Sequence, residues 1–337
     1  MQDFTFIKLP SGRYLCGLGP FDARENLTSE TPTAFYRNNF DLSDPAPWKI
    51  PAEVFETDDL RVLLSGNGAT PLPEISWSGL DDRDVRSIFD DVLAEIADGT
   101  LEKSVPVLTE KGILHRGEPA ALVKAVAAAP EELWGYGFRE GGKGMIGATP
   151  ERLISVENGV LETMALAGTA PKHEMGDFPS DPKEIREHEF VADYLEDLLI
   201  PLGTVEREER TLMDLGPIVH FLTRLRVKLD DPDSDLGKLV KSTHPTPALG
   251  ACPRGEGALE KLVEYRNRMD VPEEFGAPFG IWYQGRFDSL VAIRSVLWDG
   301  RDVFLPSGVG LVEGSRFDRE WRELALKRNS VKALLGV

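Results

Sequence analysis

A chain of 337 residues with 41% hydrophobic content, and no apolar run near the ~20 residues of a membrane helix, is composed like a globular protein of one or two domains with no membrane partner. Its formal net charge of −19 opposes a phosphate backbone, so no nucleic-acid partner is expected, and a small anionic substrate would need local lysines, arginines or a metal ion. The N-terminus MQDFTFIKLPSGRYLC lacks the basic and apolar segments of a secretory signal, which points to the cytoplasm, while Cys16 and Cys252 are too few and too isolated for a disulfide framework or a zinc site.

In chain order, residues 1–80 are rich in Pro, Asp and Thr, with short apolar stretches such as Arg61-Val62-Leu63-Leu64. They predict strands and loops, forming the N-terminal portion of the same fold as residues 81–337. From about residue 85, Val85, Ile88, Phe89, Val92, Leu93 and Ile96 recur with the spacing of an amphipathic helix whose apolar face packs on a core. LWGYGF (133–138) and ERLISVENGVLETMAL (151–166) read as strands, and Asn158-Gly159 between alternating apolar runs predicts a tight hairpin. Asp299-Gly300, between VAIRSVLW (291–298) and DVFLPSG (302–308), predicts a second hairpin. Strands interleaved with helices, without regular βα alternation, give an α+β chain with antiparallel sheets.

Two helices carry acids where a core should be. In the first, Asp181 is the expected N-cap, Pro182 opens the first turn, and Glu184 completes a capping box. Val191, Tyr194 and Leu198 form one stripe at ~100° per residue, and Glu187 falls within it. An unpaired charge facing a core is costly, so Glu187 requires either a basic partner or a metal. In the last helix Ser315 is the expected N-cap with Asp318 three residues on, and Leu324, Val331 and Leu334 make the buried stripe. Glu320, Glu323 and Lys327 lie on or beside it. Inward carboxylates from two distant helices suit an all-oxygen magnesium site. Acids at helix starts are equally favoured by the helix dipole alone.

At these residues the sequence resembles the chorismate-utilising enzymes: anthranilate synthase component I, aminodeoxychorismate synthase component I, isochorismate synthase and salicylate synthase. The likeness runs from about residue 100 to the C-terminus in ordered blocks: GATPERL (147–153), ALAGTAP (165–171), KEIREHEFV (183–191), HPTPALG (244–250), VAIRS (291–295), SGVGLVEGS (307–315) and EWRELALK (320–327). It implies antiparallel sheets packed as a sandwich with helices outside. It implies magnesium held by Glu187 and Glu323, with Glu184 and Glu320 near metal-bound water, and Arg294, Lys327, Gly308 and Gly310 as carboxylate contacts. Ala167, Gly168 and Thr169 are implied to line the substrate site, and His244 to lie near the ring hydroxyl.

The resemblance also implies displacement of the chorismate C4 hydroxyl by a nucleophile arriving at C2, with Glu151 as the general acid. Lys103 stands where the water-using branch has a general base, although Lys111 competes for that register because the block reads Lys103-Ser104-Val105-Pro106-Val107-Leu108. Ala167 replaces the nucleophilic lysine of aminodeoxychorismate synthases, Phe275 a common tyrosine and Ala277 a common glycine. The function implied first is that of a magnesium-dependent isochorismate synthase, an isomerase expected to be a monomer without an obligatory glutaminase partner. Salicylate synthase, anthranilate synthase-like amine transfer and a turnover-deficient chorismate-binding protein are the alternatives. The ALAGT block leans toward the menaquinone branch rather than the siderophore branch.

Overall fold

The computed structural model describes residues 2–28, 30–64, 70–216 and 218–337. Local chemistry sets its elements. Asn158 and Gly159 both take left-handed φ values of 51° and 72°, as a two-residue type I′ turn requires, and join the strands Arg152–Glu157 and Val160–Pro171. The second hairpin forms one residue later than the Asp299-Gly300 pair suggested: Asp299 pairs with Asp302, so Gly300 and Arg301 make the turn, with Gly300 left-handed.

All but three of the described strands make one antiparallel 17-stranded sheet. Its hydrogen-bonded path starts at Glu74–Trp77 and runs through Val107–Arg116, Asp302–Gly308, Ser295–Asp299, Lys143–Thr149, Trp134–Glu140, Phe4–Lys8, Tyr14–Arg24 and Trp48–Thr57. It continues through Thr33–Arg37, Pro278–Tyr283, Arg286–Val291, Arg152–Glu157, Val160–Pro171 and Ile218–Leu229, whose outer edge carries Gly203–Arg207 and Thr211–Asp214. Strands from the first 60 residues therefore lie in the middle of the path. The two halves face each other as the sandwich expectation requires. Tyr136 meets Phe279 with ring centroids 5.2 Å apart and donates to the Ile293 carbonyl at 2.8 Å, and one apolar core joins Ile7, Leu15 and Leu297 to Ile154, Leu161 and Leu225.

The helices are α1 (Asp82–Ala97), α2 (Val123–Ala127), α3 (Pro182–Leu199), α4 (Leu236–Thr243), α5 (Glu256–Arg268) and α6 (Phe317–Leu335). Asp181 caps α3 as expected, accepting from the Lys183 and Glu184 N–H groups at 2.8 and 3.3 Å. The reciprocal half of the capping box is absent, because the Glu184 carboxylate is used elsewhere. The buried face of α3 is His188, Val191, Ala192, Leu195 and Leu199, rotated from the expected Val191-Tyr194-Leu198 stripe. Tyr194 sits at its edge because its hydroxyl accepts from the Arg254 N–H at 2.7 Å. Arg316, not Ser315, is the N-cap of α6; the Ser315 hydroxyl accepts from the Val312 N–H in the preceding turn. Leu335 is fully buried and Leu334 only partly.

A separate three-stranded sheet places Lys103–Ser104 between Ala251–Cys252 and Leu311–Val312. Cys16 and Cys252 are both buried and unpaired, and burial pushes their thiols up to about 12 and about 11. No described helix is long and apolar enough to cross a membrane. Because Leu195 is completely buried where α3 meets the sheet, Leu195→Ala should lower the free energy of unfolding by ~2–5 kcal/mol in a urea titration.

Candidate active site

The first two turns of α3 and α6 bring Glu184, Glu187, Glu320 and Glu323 together with Lys183. From its ammonium, Glu184 lies at 3.2 Å, Glu187 at 3.8 Å and Glu320 at 3.9 Å. Glu184 is the most committed: it accepts from the Thr169 N–H at 2.9 Å and from Arg319 at 2.8 Å. Glu323 pairs with Lys327 at 2.7 Å, which overrides the effect of burial and holds it below the ordinary carboxylate range. Burial raises Glu187, with the charges of Glu323 and Glu184 adding and Lys103 opposing. Burial, reinforced by Glu323, pushes Glu320 up to about 7, and neither of its oxygens has a hydrogen-bond partner among the described residues.

Glu187 and Glu323 share a cleft of about 790 Å³, counting its open mouth, and their remaining side-chain exposure of 15% and 21% faces into it. Lys103 reaches the same cleft, buried by its small sheet, with its ammonium 4.0 Å from Glu187. Lys111 does not: it is exposed and paired with Asp270 at 2.8 Å, on the strand facing away. Glu151 lines the same cleft. It is buried, and desolvation pushes its carboxyl up to about 7 against the Thr246 hydroxyl, which donates to Oε1 at 3.2 Å, and the cations Lys103, Lys327 and Arg294. A carboxyl so placed is protonated and deprotonated near neutrality, as a general acid needs.

Backbone irregularities aim the remaining groups. Gly168 is the extra residue of a bulge, since Ala167 pairs with Phe221 and Thr169 with His220. Its φ is +71°, and a Cβ there would lie 3.0 Å from the Glu184 carbonyl and 3.1 Å from the Phe221 ring. Gly310 is needed for closeness: a Cβ would sit 3.1 Å from both Glu187 Oε1 and Lys103 Cε. Arg294 takes a left-handed φ of 58°, a strain of ~1–3 kcal/mol in a non-glycine residue. Its guanidinium donates to Ser330 at 2.8 Å, and desolvation lowers it to about 10. Lys327 also donates to the Gly308 carbonyl at 3.0 Å.

Of the expected residues, Lys103, Glu151, Ala167, Gly168, Thr169 and Glu187 line the cleft, as do Arg294, Gly308, Gly310, Glu323 and Lys327. Glu184 and Glu320 stand behind it. His244 is not brought to the cleft wall. Its Nε2 hydrogen-bonds the Phe40 carbonyl at 2.7 Å, its ring packs on Phe40, and burial lowers it to about 3. The residue of its block that contacts Glu151 is Thr246. Arg254 fixes this turn by donating to the carbonyls of Lys241, Ser242 and His244 at the end of α4. The histidine that does reach the cleft is His220. Its Nδ1 lies 2.9 Å from the Gly168 carbonyl, which can only accept, and 3.1 Å from Thr169 Oγ1, so Nδ1 carries a hydrogen; in the neutral ring Nε2 is then an acceptor, and it has no described partner. Burial and the nearby Arg294 charge lower it to about 3. The available signal was a polar side chain inside the apolar run IVHFL.

The donor chemistry fits a hard divalent cation. Magnesium takes oxygen ligands, keeps several waters and needs only one or two carboxylates, which matches two cleft-facing glutamates backed by a raised Glu320 whose described cation, Lys183, stays 3.9 Å away. Among the described residues no three acids or histidines already converge as a closed metal cage.

The family described as "Chorismate binding enzyme" matches residues 72–336. The chain is 30% identical over 260 residues to the salicylate biosynthesis isochorismate synthase of Pseudomonas aeruginosa, an alignment covering 73% of this chain and 53% of that protein. It is 28% identical over 222 residues to anthranilate synthase component 1 of Aeropyrum pernix, covering 60% and 48%. The chain thus spans about half the length of the curated relatives it matches. Its fold is similar to the solved structure of the menaquinone-specific isochorismate synthase from Escherichia coli, with a TM-score of 0.84 and 18% identity over 99% of this chain and 89% of that one.

The Thr246 hydrogen bond stabilises the ionised form of Glu151, so its removal should favour the neutral form. Thr246→Val is therefore expected to move the Glu151 titration above about 7, read from the side-chain carboxyl 13C shift against pH. A downward shift would contradict the assignment.

Proposed function

The chain belongs to the chorismate-binding enzyme family, and from that premise we propose that it is an isochorismate synthase, isomerising chorismate by adding water at C2 and losing the C4 hydroxyl. The observation carrying this reading is that Lys103 and Glu151 line one cleft, a basic nitrogen and an acid poised near 7. In its unprotonated amine form Lys103 Nζ takes a proton from water as that water's oxygen bonds to C2. The ring double bonds shift, the C4–O bond breaks, and the Glu151 proton leaves with the departing hydroxyl as water. One water enters and one leaves, so the net change is isomerisation.

Arg294, Lys327 and the Gly308–Gly310 turn would bind the substrate carboxylates, with the planar guanidinium suited to a bidentate grip. Magnesium would be held by Glu187 and Glu323, with Glu184 and Glu320 ordering its waters, and when bound would supply positive charge to the ring carboxylate. The neutral His220 offers an acceptor for a substrate hydroxyl. Water as nucleophile requires no ammonia source and no glutaminase partner.

Incubation with chorismate and magnesium should yield isochorismate without added ammonia. Fluorescent salicylate, or activity only with ammonia, would overturn the reading. Glu151→Gln and Lys103→Ala should each lower kcat by ~10²–10⁴-fold while leaving thermal stability near that of the wild type. The acid must be protonated to act, so kcat should fall as pH rises through about 7, the raised Glu151 value, and stay high below it as far as that group governs the rate.

A further inference from the structure

Ser307 lies near the end of the strand Asp302–Gly308, immediately before the Gly308-Val309-Gly310 turn, and is a buried residue of the cleft lining. Behind it stands Arg328, one residue beyond Lys327 on α6, whose Nη1 donates to Ser307 Oγ at 3.3 Å. Arg328 is itself buried and held by a second strand: its Nε lies 3.4 Å from Glu110 Oε2, and the other Glu110 oxygen accepts from Lys332 at 2.8 Å. Glu110 pairs across the sheet with Leu305, so the ion pair and the serine are supported by neighbouring strands.

A guanidinium has donors only, so Ser307 Oγ must be the acceptor in this contact. The hydroxyl hydrogen is thereby left to point elsewhere, and no acceptor among the described residues takes it. Since the residue lines the cleft, that hydrogen is a donor available to a ligand. The space it faces is arranged for anions: Lys327 sits on the carbonyl of the next residue, Gly308, and Arg294 lines the same cavity. We infer that Ser307 is a specificity-determining donor of the cleft, aimed by Arg328 and Glu110 at a carboxylate oxygen of the bound substrate. Arg328 acts through the serine and is a positioning residue. The inference rests on the chorismate reading above, which supplies the carboxylate.

The test measures KM and kcat for chorismate with the full chain as wild type, Ser307→Ala, Arg328→Met and the double variant. A lost hydrogen bond to a charged group should raise KM about 10-fold to 100-fold in Ser307→Ala, with kcat changed less than about threefold. Arg328→Met should raise KM comparably, and the double variant should be no worse than the more affected single variant, because both remove one interaction. A purely structural Arg328 would instead multiply with the serine effect in the double variant or leave KM unchanged, either of which would overturn its positioning role. Should Arg328→Met fail to fold, Ser307→Ala decides alone. An unchanged KM in Ser307→Ala, with a wild type that turns chorismate over, would overturn this inference only. A wild type that neither binds nor converts chorismate would overturn the function as well.

Discussion

The site depends on one electrostatic constraint: four glutamates from the first two turns of α3 and α6 are held within reach of one another in a partly desolvated space. Like charges so placed raise one another's pKa and resist folding unless cations answer them. Lys183, Arg319 and Lys327 answer Glu184 and Glu323, whereas Glu187 and Glu320 keep raised values and incomplete partnerships. A protein built only for stability would fill such a place with apolar side chains. The unbalanced acids are therefore the strongest structural sign of a ligand, and their placement fixes where that ligand can sit.

Everything around them is positioned by the sheet. The Gly168 bulge turns Thr169 and His220 toward the cleft and lets the Thr169 N–H anchor Glu184. The small three-stranded sheet carries a buried lysine to Glu187, and Gly310 leaves room for both. The turn after α4 delivers Thr246 to Glu151. The proposed acid and base, Glu151 and Lys103, come from separate elements, and the left-handed Arg294 lies in the same cavity.

Much of this was legible in the sequence where a residue's role follows from local spacing. Asp181 announces the start of α3, Asn158-Gly159 announces its hairpin, and Glu187 falls on the inward side of its helix because a 3.6-residue repeat leaves it nowhere else. Roles decided by long-range partners were not legible. Glu184 was expected to reach back to its own cap, but the Thr169 N–H from a distant bulge offers a buried partner. His244 and His220 are equally isolated in sequence, and only packing shows that Phe40 claims one while the cleft receives the other. Lys103 and Lys111 became distinguishable once strand pairing buried the first and left the second facing solvent.

The central claim is that Glu187 and Glu323 act on one ion in one cleft. Manganese, which takes the same hard oxygen ligands and is read directly by electron paramagnetic resonance, tests it without relying on turnover. Titration in the presence of chorismate should give one bound ion per chain, with Glu187→Gln and Glu323→Gln each weakening it ~10-fold or more. Wild-type affinity in either variant, or two independent ions, would contradict the account.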